Sequence, residues 1–322
     1  MYSVDVDFAP AYELIVSLVA YRANKEHKTL ALGPAWAAQV RDRLPAPVVP
    51  DIDAADGMSL LPLLIPLIWR APCRLDAGAF VEWLRAMAVD EVVERLAPYI
   101  AAGDWPTEPD VGVQRDRCVH ILGLWHDHYF RRLDTEIIAG LDHDAIAWRR
   151  LLATMPPQDL VEEATRGVYL EPTPAVDSVL LIPQYHYCPW TIYHRFGRLK
   201  IYLYPADTSR VAPGDLPPDL MRTTRALSDE SRMRILRFLA TGAYSFTDVV
   251  RQTGLAKSTV HQHLGVLRAA GLVRVHDGGR HAGTYSLRPH TIQRLGDQLD
   301  AFLHPDRNAL AVDKSDGCVS FE

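Results

Sequence analysis

Apolar and polar residues alternate in Ser3-Val-Asp-Val-Asp-Phe8, the period of a half-buried strand. From Pro10 to Arg22 the period lengthens, and Leu14, Leu18 and Tyr21 fall on one face of a helix. Helical spacing recurs at residues 34–44, 77–87, 90–99, 115–133, 134–139, 144–154 and 157–166. Proline and glycine clusters punctuate these stretches, as in Pro45-Ala-Pro47 and Gly103-Asp-Trp-Pro106. Residues 178–183 and 199–204, the latter rich in β-branched and aromatic side chains, read as strands. The pattern predicts a mainly helical N-terminal domain with a small antiparallel sheet.

Pro205, Pro213, Gly214, Pro217 and Pro218 mark residues 205–218 as a linker. The expected division is an N-terminal domain over 1–204, a C-terminal module over 219–304 and a disordered polar tail over 305–322. In the module, Ser228 stands at a helix N-cap, with Asp229 and Glu230 in the first turn. Met233, Leu236, Leu239 and Ala240 form its apolar stripe, and Gly242 ends it. A second helix opens at Ser245-Phe-Thr-Asp248, an acidic version of the capping box, and stops at Gly254. The third helix runs from Lys257 to Arg268. Val260, Leu264 and Leu267 lie at i, i+4 and i+7 and pack inward, which turns Lys257, Ser258, His261, Gln262 and Arg268 outward. A strand over Gly271-Leu-Val-Arg-Val-His276, a turn at Asp277-Gly278-Gly279 and a return at Thr284-Tyr-Ser-Leu287 complete a winged helix-turn-helix.

Small polar and amide side chains on an exposed helix suit a major groove, where they donate and accept at base edges. The expected contacts to double-stranded DNA are therefore Ser245, Thr247, Lys257, Ser258, Thr259, His261, Gln262 and Arg268, with Arg280 and His281 at the wing tip. A net charge of −6 looks wrong for such a partner until it is divided along the chain. Residues 216–304 carry +5, with 12 basic and seven acidic side chains, whereas the residues before 216 carry −9. That asymmetry is expected when one domain alone meets phosphate. With 322 residues, 48% hydrophobic and 23% charged, the chain has material for two soluble domains.

The C-terminal segment resembles the winged helix of the ArsR (arsenical-repressor) family. The resemblance rests on Ala226-Leu-Ser-Asp-Glu-Ser-Arg-Met-Arg-Ile-Leu236, Ser258-Thr-Val-His-Gln-His-Leu264, Leu267-Arg-Ala-Ala-Gly-Leu-Val273, and Gly279-Arg280 with Tyr285-Ser-Leu287. More loosely, Pro10-Ala-Tyr-Glu-Leu-Ile-Val-Ser-Leu18, Val179-Leu-Leu-Ile-Pro183 and Leu203-Tyr-Pro205 resemble the upstream domain of long ArsR-type regulators. Two positions depart from the family: Ala256 replaces the usual capping Ser, and His261 replaces a common Ser, so the base preference does not carry over. The resemblance implies a homodimer formed through the first and last helices of the module. In residues 291–303, Ile292, Leu295, Leu299, Phe302 and Leu303 form an apolar stripe suited to that role.

The family's metal sites do not recur. The helix before the recognition helix, residues 245–252, has no cysteine, and near the last helix only His290 stands at its start. Two other sets, His120 with His126 and His128, and His186 with Cys188 and His194, are an alternative basis for a metal-responsive regulator. The expectation is no metal and no cofactor. No P-loop, GxGxxG, GxSxG or HExxH pattern is found, which points away from an enzyme; an enzyme-derived domain fused to a DNA reader is the other alternative. Four scattered cysteines, no secretory leader pattern and an apolar run over 60–69 too short to span a bilayer predict a cytoplasmic protein without membrane contact.

All seven tryptophans and 11 of 13 tyrosines precede the linker. Trp125, Tyr129, Tyr187 and Trp190 are the candidate walls of a pocket for a flat, uncharged or weakly cationic organic effector. The fold expected is mainly α with small β-sheets, an N-terminal α+β sensor domain followed by a winged helix-turn-helix. The function expected is a ligand-responsive repressor that binds a palindromic operator as a dimer.

Overall fold

The alternating segment at the N-terminus forms a strand, β1 (Ser3–Val6). The computed structural model describes residues 2–54, 60–100, 111–206 and 216–304. After β1 come α1 (Pro10–Arg22), α2 (Gly33–Arg43), α3 (Val49–Asp53), α4 (Leu64–Trp69), α5 (Ala77–Ala86), α6 (Val89–Leu96), α7 (Val111–His128), α8 (Thr135–Leu151) and α9 (Pro157–Ala164). Then follow β2 (Val168–Leu170), β3 (Ser178–Gln184), β4 (Ile192–Phe196) and β5 (Leu199–Pro205). The remaining elements are α10 (Pro218–Leu227), α11 (Glu230–Leu239), β6 (Tyr244–Ser245), α12 (Phe246–Thr253), α13 (Lys257–Ala269), β7 (Val273–Asp277), β8 (Thr284–Leu287) and α14 (Thr291–Leu303). The 103–106 cluster, most of the expected linker and the tail over 305–322 lie outside the described residues. Among the described residues no helix is long and apolar enough to cross a membrane.

The described residues of Met1–Thr165 and Pro172–Thr208 form one unit, and those of Arg166–Glu171 and Ser209–Glu322 the other. Arg166–Glu171 thus groups with the C-terminal module, although its place in the sequence is within the expected N-terminal domain.

The N-terminal sheet runs in the order β1-β3-β5-β4. It is mixed rather than antiparallel: β1 pairs with β3 and β3 with β5 in parallel, and only β4 runs antiparallel to β5. The reason lies in burial. Val179–Ile182 and all of β5 are buried on both faces, as parallel strands covered by helices are. The strand β4 supplies the reversal, turning into β5 through Gly197 at φ 57°.

Helix α1 packs on β3 and against α5 and α7. Ten of its 13 residues are buried, so the single apolar stripe read from the sequence was only part of a helix that is covered nearly all round. The two helices expected over 134–139 and 144–154 are one helix, α8, which ends at Leu151 and is capped by the Asp134 carboxylate on the Glu136 N–H. Gly140 within it costs about 1 kcal/mol relative to alanine, too little to break a helix that packs on β1 and β3.

Among the described residues Asp7, Glu13 and Glu162 are buried carboxylates of this unit, and the partners of the first two fix the chain path. Asp7 accepts from the Tyr12 hydroxyl at 2.7 Å and pairs with Arg74, with Arg149 at 3.5 Å. Glu13, fully buried, accepts from the backbone N–H groups of Tyr185 and His186 and faces His186 Nδ1 at 2.5 Å. These bonds tie the chain leaving β3 to α1. A buried charge without such partners would be strongly unfavourable.

In the C-terminal unit, the cap of α11 is shifted by one residue from the sequence expectation. Ser228 closes α10 by donating to Arg225 O at 2.8 Å, and Asp229 caps α11 by accepting from the Arg232 N–H at 2.9 Å. The preceding helix α10, which the sequence pattern did not reveal, claims Ser228 for its own end. The Arg232 N–H is the main influence holding the Asp229 carboxyl below its ordinary 3.8. Asp229→Ala should lower the unfolding midpoint by a few degrees, whereas Ser228→Ala should leave it nearly unchanged. Because the folded-state pKa is depressed, this contribution is present above the ordinary carboxylate range and lost as the pH falls through the lowered value. Thermal melts from neutral to acid pH should show the gap between wild type and Asp229→Ala closing in acid.

Candidate nucleic-acid interface

The helix-turn-helix is assembled from local signals. Ser245 Oγ accepts from the Asp248 N–H at 3.2 Å and Asp248 accepts from the Ser245 N–H at 3.1 Å, the capping box expected for α12. The Ser245 hydroxyl also donates to Asp248 at 2.6 Å, so the structure commits it to the cap. These bonds, with Arg251 alongside, hold the Asp248 carboxyl below its usual value. Gly254 ends α12 in the left-handed region at φ 68°, its N–H bonded to Val250 O at 3.0 Å. Ala256 begins α13 without a side-chain cap.

Helix α13 is seated by Val260, Leu264 and Leu267, all buried, against Ile235, Leu236 and Leu239 of α11, Val249 of α12 and Val273 of β7. Its outer face carries Lys257, Ser258, His261 and Gln262, all exposed. Thr259 and Arg268 are half-buried at the margins, and Thr247 is exposed on α12. The His261 ring approaches Phe246 edge-on at 6.5 Å.

The wing is the β7–β8 hairpin, with Val273 opposite Leu287 and Val275 opposite Tyr285. Gly278, Gly279 and Gly283 take positive φ of 79°, 65° and 78°, and Gly283 N–H closes the loop on His276 O at 2.9 Å. Arg280 and His281 are exposed on this loop. The sheet is wider than a hairpin: its order is β2-β7-β8-β6, with β2 parallel to β7 and β6 antiparallel to β8. Behind the loop, His276 Nε2 lies 2.9 Å from Ser286 Oγ, and Nδ1 faces Glu171 at 3.4 Å, too far for a firm hydrogen bond. Burial is the main reason the His276 pKa falls below 6.5. The sequence reading missed Tyr169, Glu171 and Arg274, whose guanidinium lies 4.2 Å over the Tyr169 ring. A three-residue strand carries too short a pattern to be recognised from periodicity.

The other candidate sites fall elsewhere. On α14, Ile292 is 60% and Leu299 40% exposed, while Leu295 and Phe302 are half-buried. The rings of Trp125 and Tyr129 meet at a tilt with centroids 4.5 Å apart, but Trp125 is fully buried and its N–H is spent on Ser17 Oγ at 2.9 Å, so it belongs to the core. Tyr129 receives the Trp36 N–H at 3.1 Å and meets His186 Nε2 at 2.6 Å. Burial raises the Tyr129 pKa well above its ordinary value. Tyr187 and Trp190 lie instead beside Glu26 and Thr29. Both ring nitrogens of His186 are therefore engaged within the protein. His120 faces Asp51 at 3.1 Å and His126 faces Asp127 at 3.3 Å. Among the described residues no three His, Cys, Asp or Glu side chains converge as a metal-ligand set.

The model of the bacterial regulatory proteins of the arsR family matches residues 229–275. Two relatives are similar in sequence: the HTH-type transcriptional regulators CmtR of Mycobacterium bovis (strain ATCC BAA-935 / AF2122/97) and of Mycobacterium tuberculosis (strain CDC 1551 / Oshkosh). Each is 34% identical over 101 residues, which is 31% of this chain and 80% of the relative. The chain belongs to the arsR family. An ArsR-like transcriptional regulator from Rhodococcus sp. RHA1 also matches, at 24% identity over 31% of this chain and 95% of that one, with a TM-score of 0.25.

In this arsR-family module the turn glycine can be tested on its own. A Cβ at Gly254 would meet nothing within 4 Å, so Gly254→Ala should cost only the left-handed backbone strain, about 1–2 kcal/mol. Gly254→Asn should cost less, because asparagine tolerates that region better. Denaturant unfolding of the three proteins checks the order.

Proposed function

We propose that this arsR-family protein is a dimeric, DNA-binding transcriptional repressor released by a small organic effector. The observation that carries the DNA reading is the outer face of α13. Lys257, Ser258, His261 and Gln262 share one exposed face of a helix whose opposite side is fixed in the core. The exposed Arg280 and His281 extend the same basic module at the wing. Base edges are read from the helix face and phosphate is met by the wing. Arg280→Ala should then weaken binding to all duplexes alike and reduce the salt dependence by about one unit of slope. Gln262→Ala and His261→Ala should instead change which bases are preferred. Selection from a random duplex pool followed by salt titrations separates the two; specificity that follows Arg280 and ignores α13 would refute the assignment.

The second copy is expected on α14. Its exposed Ile292, Leu299 and Leu303 leave an apolar stripe facing water, beside α10 on which the helix packs. A two-fold dimer places two recognition helices on half-sites roughly 34–36 Å apart, hence a palindromic operator. Ile292→Asp with Leu299→Asp should give monomers in sedimentation and lose the symmetric footprint. A wild-type monomer that protects one asymmetric half-site would exclude this arrangement.

Effector binding is assigned to the half-buried aromatic side chains Tyr187 and Trp190, beside Glu26 and Thr29, and Tyr129, whose ring lies against the core ring of Trp125. Their faces offer stacking area and attract cations, and the acidic N-terminal segment disfavours anions. An inducer must favour the DNA-incompetent state, since equal affinity for both states shifts nothing. Flat aromatic amines should quench tryptophan fluorescence and release DNA together. Folded Tyr187→Ala and Trp190→Ala variants that still respond like wild type would remove these residues from the site.

A further inference from the structure

The wing of this protein is held by a piece of chain that comes from outside the winged helix. Arg166–Glu171 belongs to the C-terminal unit, yet Thr165 before it and Pro172 after it both belong to the N-terminal unit. Within this segment β2 lies parallel to β7, with Val168, Tyr169 and Leu170 opposite Val275, His276 and Asp277. The ladder is closed at both ends: Val275 N–H donates to Gly167 O at 2.7 Å, and Glu171 N–H donates to Asp277 O at 3.1 Å. At its start Arg166 pairs with Asp219 of α10 at 2.8 Å. At its end the Glu171 carboxylate accepts the backbone N–H of Arg280, at 3.0 Å, on the exposed loop of the wing.

The fit around Glu171 is close. A Cβ at Gly279 would collide with Glu171 Oε2 and stand 2.6 Å from its Cβ, and Gly279 also has φ +65°. The loop therefore takes its shape around the carboxylate. Six residues, bonded at both ends within the C-terminal unit, continue directly at each end into chain of the N-terminal unit.

We propose that Arg166–Glu171 is the element through which the N-terminal unit controls DNA binding, with Glu171 as the positioning residue of the wing. Docked, the strand holds the loop with Arg280 presented; undocked, it frees the loop and lowers affinity for DNA. A ligand that favours the undocked strand releases DNA by its differential affinity for the two states. This rests on the reading that the wing meets DNA, so the test measures docking and DNA binding separately.

The full-length protein, Glu171→Ala, Glu171→Gln, Gly279→Ala and Arg280→Ala are compared by hydrogen exchange without DNA and by titration with a duplex selected by the wild type. Glu171→Ala and Gly279→Ala should speed amide exchange across residues 273–283 by about tenfold or more while α13 stays protected. Both should weaken duplex binding by about 5–10-fold, within the range of a coupling between sites. Glu171→Gln keeps an acceptor for the Arg280 N–H and should stay near wild type in both. Wild-type exchange in Glu171→Ala overturns the docking role. Faster exchange with unchanged affinity, while Arg280→Ala weakens binding, overturns control by the strand and leaves the wing contact standing. If Arg280→Ala also leaves affinity unchanged, the wing reading fails together with the proposal. Equal tightening by Glu171→Ala and Glu171→Gln would show that the carboxylate acts by its charge alone, and the positioning role would fall.

Discussion

Val260, Leu264 and Leu267 set the direction in which α13 faces, because burying three aliphatic side chains on one side of a helix leaves its opposite side no choice but water. Each contributes about 1.5–3 kcal/mol by leaving water, and the three together outweigh the roughly 0.5–2 kcal/mol that an uncapped start at Ala256 can cost. The recognition face is thus fixed by its back. Lys257, Ser258, His261 and Gln262 are held outward by the packing of that opposite side, which leaves them exposed. The capping box of α12 and the left-handed Gly254 determine how α12 leads into this helix.

The wing depends on a different kind of support. A two-stranded hairpin is marginal in water, and three of the residues in its turn are glycines without side chains to brace it. Here β6 and β2 flank the hairpin, and Glu171 fills the concave side of the loop. Recruiting β2 makes the DNA-reading module incomplete without residues that precede β3 in the chain. Stability of the wing therefore draws on a segment whose two ends both continue into chain of the N-terminal unit.

The N-terminal unit solves the problem of buried charge by pairing it at strand ends. Asp7 follows β1 and meets Tyr12, Arg74 and Arg149; Glu13 on α1 takes the N–H groups of Tyr185 and His186, just after β3. The cluster of Trp36, Trp125, Tyr129 and His186 grows from the same place, because the chain leaving β3 is drawn onto α1. Aromatic residues far apart in the sequence meet there, and their burial separates core rings such as Trp125 from those at the margin such as Tyr187 and Trp190.

The sequence by itself determined what is encoded over one or two turns of chain. The apolar spacing of α13, the reciprocal cap at Ser245 and Asp248, the turn at Gly254 and the glycine-marked wing are local signals, and each appears where its spacing placed it. The outward faces of α13 and the wing loop follow from those signals, so the candidate DNA-reading surface was legible before any contact was known. Tertiary structure decided the rest. It joined α8 across Gly140, moved the cap of α11 from Ser228 to Asp229 and made the N-terminal sheet largely parallel. It also placed Trp125 in the core and carried Val168–Leu170 to the wing. In most of these cases the deciding partner lies far along the chain, as β1 does from β3 and Glu171 from Arg280. Pairing and burial between distant segments leave no period in either segment alone, and three residues of strand are too few to show one.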